Sequence, residues 1–227
     1  MNNKILYSIF LLFWCCSINV AQIIEQEIEE EIPVFKRINP LTSGISYQFT
    51  FRPSYYIPMK GTSSYINKGG IKPVAVSFEI VKPSDYSLGI ELSQQYYQQY
   101  KERAVYDYDG SLISTAQMRT MNNFPIAFTY SKYFKGIDKT IRPYAQLGLG
   151  AIKINYINYW GYLIDDKKRW APLGMTSVGV KINLDETGNW VLDSKIKYQI
   201  APFQYDFISS VNYLAFDIGI GFRWWDE

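Results

Sequence analysis

Between Tyr213 and Trp225 the chain alternates without a break. Leu214, Phe216, Ile218, Ile220, Phe222 and Trp224 are apolar, and the intervening Tyr213, Ala215, Asp217, Gly219, Gly221 and Arg223 are mostly small or charged. Successive side chains of a strand point to opposite faces, so this pattern predicts a strand with one wholly apolar face. An opposite face of two glycines, an Asp and an Arg suits the lumen of a barrel better than the outside of a soluble sandwich. The apolar face then belongs against lipid.

The same period recurs upstream. Ile45, Tyr47, Phe49 and Phe51 alternate with Ser46, Gln48, Thr50 and Arg52; Val74, Val76, Phe78 and Ile80 alternate with Ala75, Ser77 and Glu79. After a Pro83-Ser84-Asp85 turn, Tyr86, Leu88, Ile90 and Leu92 alternate with Ser87, Gly89, Glu91 and Ser93. Further strands are expected from about Asn122 to Phe134, from Ile141 with Arg142, Tyr144 and Gln146 inward, around Ser177, Gly179 and Lys181, and around Asp193, Lys195, Lys197 and Gln199. With the last segment the count is eight, and an even count suits a closed barrel with both ends on one side. The predicted fold is all-β, an eight-stranded antiparallel up-and-down transmembrane β-barrel over residues 43–227. Long connections are expected near 53–72, 98–118, 155–170 and 201–211, and short ones near 83–85, 135–140 and 185–189. Long external loops alternating with short periplasmic turns place both chain ends in the periplasm.

The front of the chain carries Lys4, an apolar run from Ile5 to Cys16, and small residues up to Ala21. Residues 1–21 are therefore expected to be a cleaved secretory signal, the apolar run being short of the roughly 20 residues that a spanning helix needs. Residues 22–42, with Glu25, Glu27, Glu29, Glu30 and Glu31, are expected to be an acidic periplasmic leader. Both cysteines, Cys15 and Cys16, fall inside the signal, so the exported protein is expected to fold without disulfides.

Composition narrows the chemistry. A net charge of +2 over 227 residues is too small to argue for a nucleic-acid partner. With 48% hydrophobic residues the mean hydropathy is still only −0.14, because apolar positions are dispersed at every second residue. Aromatics reach 17%, led by 20 tyrosines, and such rings favour membrane interfaces. The chain has no histidine, so neutral-pH proton transfer lacks its usual carrier; no catalytic, cofactor-binding or metal residue is expected, and no cofactor. Arg52, Glu79, Glu91, Arg142, Lys181, Asp193, Lys195, Lys197, Asp217 and Arg223 fall on inward positions and are expected to form an ion-pair network filling the narrow lumen of eight strands. A conduit through them is the alternative. Among the aromatics of the expected external loops, Tyr106, Tyr108, Trp160, Tyr162 and Trp170 are candidate binding residues; an interfacial girdle is the alternative.

Asp217, Gly219, Phe222 and Trp224 resemble the C-terminal β-signal of bacterial outer-membrane barrels. The stretch Arg142-Pro-Tyr-Ala-Gln-Leu-Gly-Leu-Gly-Ala151 resembles a strand common among them. Over about residues 43–225 the chain resembles the small porin-like outer-membrane barrels of the OmpX and OmpW type. This resemblance implies a non-enzymatic integral protein of the Gram-negative outer membrane, with lipid around it and the barrel-assembly machinery as its partner during insertion. It leaves three roles open: structural, adhesive or surface-binding through the aromatic loops, with a protein partner at the surface or in the envelope; a narrow channel or carrier for small or apolar solutes; and a subunit of an envelope secretion or motility complex.

Overall fold

The computed structural model describes residues 44–225 apart from 71–72, 83–84, 109, 138 and 206–207. The signal and the leader expected at 1–21 and 22–42 lie outside the described residues. Eight strands follow in order: β1 (Ser46–Pro58), β2 (Val74–Lys82), β3 (Tyr86–Tyr108), β4 (Ser111–Tyr133), β5 (Ile141–Trp160), β6 (Leu163–Asn183), β7 (Trp190–Ala201) and β8 (Val211–Trp225). Each pairs antiparallel with its sequence neighbours, and β1 closes on β8 with Ser46 opposite Trp225, so the ring has no open edge where all eight strands are present. The end that holds Ser46 and Trp225 is the base of the barrel, and the opposite end is its mouth.

Alternation fixes which side faces where. Phe49, Phe51, Phe78, Leu88, Ile90, Phe128, Leu147, Leu149, Ile218 and Ile220 point outward and are exposed, forming an apolar belt. Ser77, Glu79, Glu91, Gln146, Lys195 and Asp217 point inward and are buried. Around the base, Tyr47, Phe78, Phe222 and Trp224 contact one another, with Trp190 edge-on to Phe222 and Tyr86 stacked on Tyr130. This is the aromatic girdle expected where a barrel meets the lipid–water boundary.

Two of the expected long loops are not loops. The segment 98–118 continues β3 and β4, which are 23 residues each, and 155–170 continues β5 and β6, of 20 and 21 residues. In the first hairpin the ladder runs to Tyr108 opposite Ser111, and a tight turn at Gly161-Tyr162 ends the second. Gly161 has φ +67°, a left-handed conformation open to glycine at little cost, and a Cβ there would come within 2.9 Å of the Thr115 hydroxyl. Long tyrosine- and threonine-containing stretches without internal Pro or Gly keep their strand conformation after the apolar side is lost. By contrast, the connections 59–73 and 202–210 are true loops.

Candidate functional site

The interior is filled in layers. At the base, Val81, Tyr133, Tyr144 and Ile137 form a small buried cluster with Trp225 packed against it. The Arg142 guanidinium lies 4.1 Å over the Tyr133 ring, and Arg223 donates to Gln48 at 3.0 Å. Above them Glu79 accepts from Lys181 at 2.8 Å, from Ser87 at 2.8 Å and from Tyr133 at 3.2 Å.

The middle layer joins strands across the lumen. Glu91 on β3 meets Arg52 of β1 at 3.0 Å and Lys195 and Lys197 of β7 at 2.5 and 2.7 Å. Arg52 also meets Asp193 at 2.6 Å, and Lys197 meets Asp217 of β8 at 2.9 Å. Asp193 accepts from the Tyr144 hydroxyl at 2.8 Å, and Lys195 donates to Gln146 at 3.0 Å. All these side chains are buried, and charges out of water are tolerable only when paired as closely as this. Six of the ten inward charges, Arg52, Glu91, Asp193, Lys195, Lys197 and Asp217, thus form one cluster. Glu79 and Lys181 form a pair below it, and Arg142 and Arg223 lie at the base.

The upper interior departs from the expected charged network. Met121, Ile152, Ile154, Leu173, Met175, Val211, Tyr56, Tyr97 and Tyr213 form an apolar, aromatic core inside the mouth. Two loops cap it. Tyr65 and Ile66 of loop 59–73 and Phe203 and Ile208 of loop 202–210 are buried in this core. Thr62 donates to the Ser210 carbonyl at 3.3 Å and accepts from the Asn212 N–H at 2.8 Å, stitching one loop to the other. Tyr65 stacks on Tyr156 with centroids 4.4 Å apart and donates to the Ile157 carbonyl at 2.8 Å, and burial pushes its phenol pKa up.

The candidate binding aromatics stand on strands and at a turn. Tyr106 packs edge-on to Trp160, centroids 5.4 Å apart, whereas Tyr162 at the β5–β6 turn is fully exposed and Trp170 points outward from β6. Tyr108 is the last residue of β3, paired with Ser111. Among the candidates whose side chains are described, Tyr106 and Trp160 come together. Several other expected rim aromatics, including Tyr56, Tyr65, Tyr97, Tyr156 and Phe203, are buried inside the mouth instead. Of the four residues resembling a terminal signal, Asp217 faces the lumen, while Phe222 and Trp224 face outward. Gly219 passes so close to β1 that a Cβ would come within 2.5 Å of Arg52 Cγ.

Gln117 and Asn158 escaped the sequence reading because they fell within expected loops, and Arg119 because it fell between one of those loops and the strand expected from about Asn122. Register puts them on the inner face of the sheet above the belt, where Gln117 pairs with Trp160, Arg119 with Asn158, and Asn158 with Asp165. The Asp109-Gly110 dipeptide was the available signal, since such a pair favours a two-residue hairpin turn between continuing strands.

A closed ring with an apolar outer belt and a charged, filled interior is the architecture of an outer-membrane β-barrel protein, and that is the class the structure defines. No protein-family model matches the chain, and no curated protein matches it in sequence. Among solved structures, the chain is similar to Ail, the attachment invasion locus protein of Yersinia pestis, at 13% identity over 80% of this chain and 99% of that one, TM-score 0.48. Neisserial surface protein A is similar at 12% identity over 80% and 96%, TM-score 0.48. Outer membrane protein W of E. coli is similar at 14% identity over 81% and 100%, TM-score 0.41.

Proposed function

We propose that the protein is a closed, non-catalytic surface barrel that works through what it holds beyond the membrane. One observation carries this reading: β3 to β6 continue past the mouth as a four-stranded wall with two unpaired edges. The β2–β3 ladder stops at Val74 and Gln94, leaving β3 from Gln95 onward without a strand on that side, and the β6–β7 ladder stops at Gly174 and Ile200, leaving Leu163–Leu173 in the same condition. Unpaired edges are templates for an added strand, so an extended segment of a partner protein is the expected occupant. The expected secretory signal and the resemblance to a terminal assembly signal support this orientation, with the wall outside the cell and the chain ends in the periplasm. The channel alternative is less supported, because paired charges and an apolar core occupy the lumen in turn.

The test uses the full barrel in planar bilayers and in proteoliposomes. No steady ionic current is expected, and an array of ten-residue peptides should be retained by the intact protein and not by a variant whose wall is trimmed by joining the register partners Gln99 to Arg119 and Tyr156 to Lys167 through two-residue turns. A steady current from the intact protein, or equal retention by both proteins, overturns the reading.

A further inference from the structure

The inner face of the wall just above the plug carries polar atoms that the fold does not use. Asn158 is 0% exposed, yet among the described residues neither its amide nitrogen nor its amide oxygen has a hydrogen-bond partner. Gln117 is 0% exposed as well, and its amide nitrogen is also unpaired, although its oxygen accepts from Arg119 Nε at 3.0 Å. Because Gln117 stands opposite Trp160, and Asn158 opposite Arg119, the two residues are diagonal neighbours on adjacent strands, their Cα atoms about 7–8 Å apart. Buried amides left unpaired are costly, and two so close together on one face mark a place for a ligand or for water that a ligand replaces.

The surroundings select the ligand. The nearby cations are engaged: Arg119 donates to the Tyr65 carbonyl at 3.1 Å and lies over the Tyr65 ring, and Lys167 lies 5.5 Å from the Tyr205 ring. Asp165 accepts from the Tyr205 hydroxyl at 2.7 Å. What remains is uncharged, two amide donors and one amide acceptor. A phosphate or sulfate offers only acceptors and would set an oxygen against Asn158 Oδ1, whereas adjacent hydroxyls both donate and accept. Trp160 beside them supplies an aromatic surface for the C–H face of a ring. Tyr106 covers Trp160, is half-buried, lies two residues past the β-bulge at Lys101–Ala104, and among the described residues hydrogen-bonds to its own strand at the Glu102 carbonyl. It is therefore the side chain placed to swing aside.

We propose that Gln117, Asn158 and Trp160 form a binding site for a neutral saccharide, entered by displacement of Tyr106 from the Trp160 ring. The site gives the surface-binding reading a ligand class and rests on that reading, but it uses the inner face of the wall and not its edges.

The experiment applies the full barrel in nanodiscs to an array of neutral oligosaccharides built from glucose, galactose, mannose and N-acetylglucosamine. The intact protein should be retained by at least one of them, and N158L and Q117L should each lower that retention at least tenfold. N158L should keep or raise the temperature at which the folded, fast-migrating gel band is lost, since leucine there removes two unpaired polar atoms without opening a void; Q117L also removes the acceptor of Arg119 Nε and is read by retention alone. No retention by the intact protein overturns the site. A lowered melting temperature in N158L also overturns it, because the Asn158 amide then has structural partners. If glycan retention is absent while the trimmed wall still loses its peptides, this inference falls and the surface-binding reading stands.

Discussion

The two sides of the mouth are built on opposite plans. On one side β3 to β6 run for 20 to 23 residues, about twice the 9–11 that a tilted strand needs to cross the membrane. On the other, β7, β8, β1 and β2 have 12, 15, 13 and 9 residues, and their connecting loops turn inward. Length on one side and folded-in loops on the other are complementary. Tyr65 and Tyr205 from the short side lean on Tyr156 of the tall side, and Arg119 of the wall grips the Tyr65 carbonyl. The wall is thus the back support of the plug as well as a surface.

The largest effect is expected where the sides are tied through the lumen. Glu91, on the tall side, holds Arg52, Lys195 and Lys197, all on the short side. E91Q leaves buried cations undercompensated and should cost about 3–5 kcal/mol, read as a lower urea midpoint for loss of the fast-migrating folded band. An unchanged midpoint would mean that the two sides are held together by backbone pairing alone. A smaller and more local effect is expected from Y65A, which removes a buried ring between plug and wall and should cost about 3 kcal/mol. Protease should then cut loop 59–73 while β1 to β8 stay resistant, and bilayer conductance should stay nil because the charged layer below is untouched. Resistance of the loop would show that the plug does not need the wall.

The smallest effect is expected at the base, in the short turn before β7. Burial there works against the charge of Asp185, but the Thr187 hydroxyl and the Trp190 and Asn189 N–H groups bond to it and hold its carboxyl below the usual range. A depressed folded-state pKa stabilises above the unfolded value of about 3.9 and is lost as pH falls through the folded one. Acid below about pH 4 should therefore speed amide exchange at Asn189 and Trp190, and D185N should abolish that pH dependence. Identical profiles for both proteins would remove Asp185 from the account of the turn.

The membrane belt and the charged layer were legible because, within the bilayer, the solvent outside is apolar and each strand must alternate. A charge such as Glu91 between Ile90 and Leu92 has only the lumen to go to. The upper interior was hidden because the rule changes above the lipid. There the outer face meets water, so Lys153 is exposed while Ile152 and Ile154 turn inward. Read with the belt's rule, 155–170 looks like a loop, and Asn158 disappears into it. The partners of Arg52, on β3 and β7, were likewise beyond reach, since alternation fixes a residue's face but not which side chain meets it across the lumen.

The cluster of Val81, Tyr133, Ile137 and Tyr144 closes the base as the two loops close the mouth. On the proposed reading, a barrier stoppered at both ends, with salt bridges between the stoppers, does not add to the leak of the envelope that carries it. Such a protein can be made in very large numbers at no osmotic penalty to the cell, so its abundance is free to be set by demand for its exposed surface.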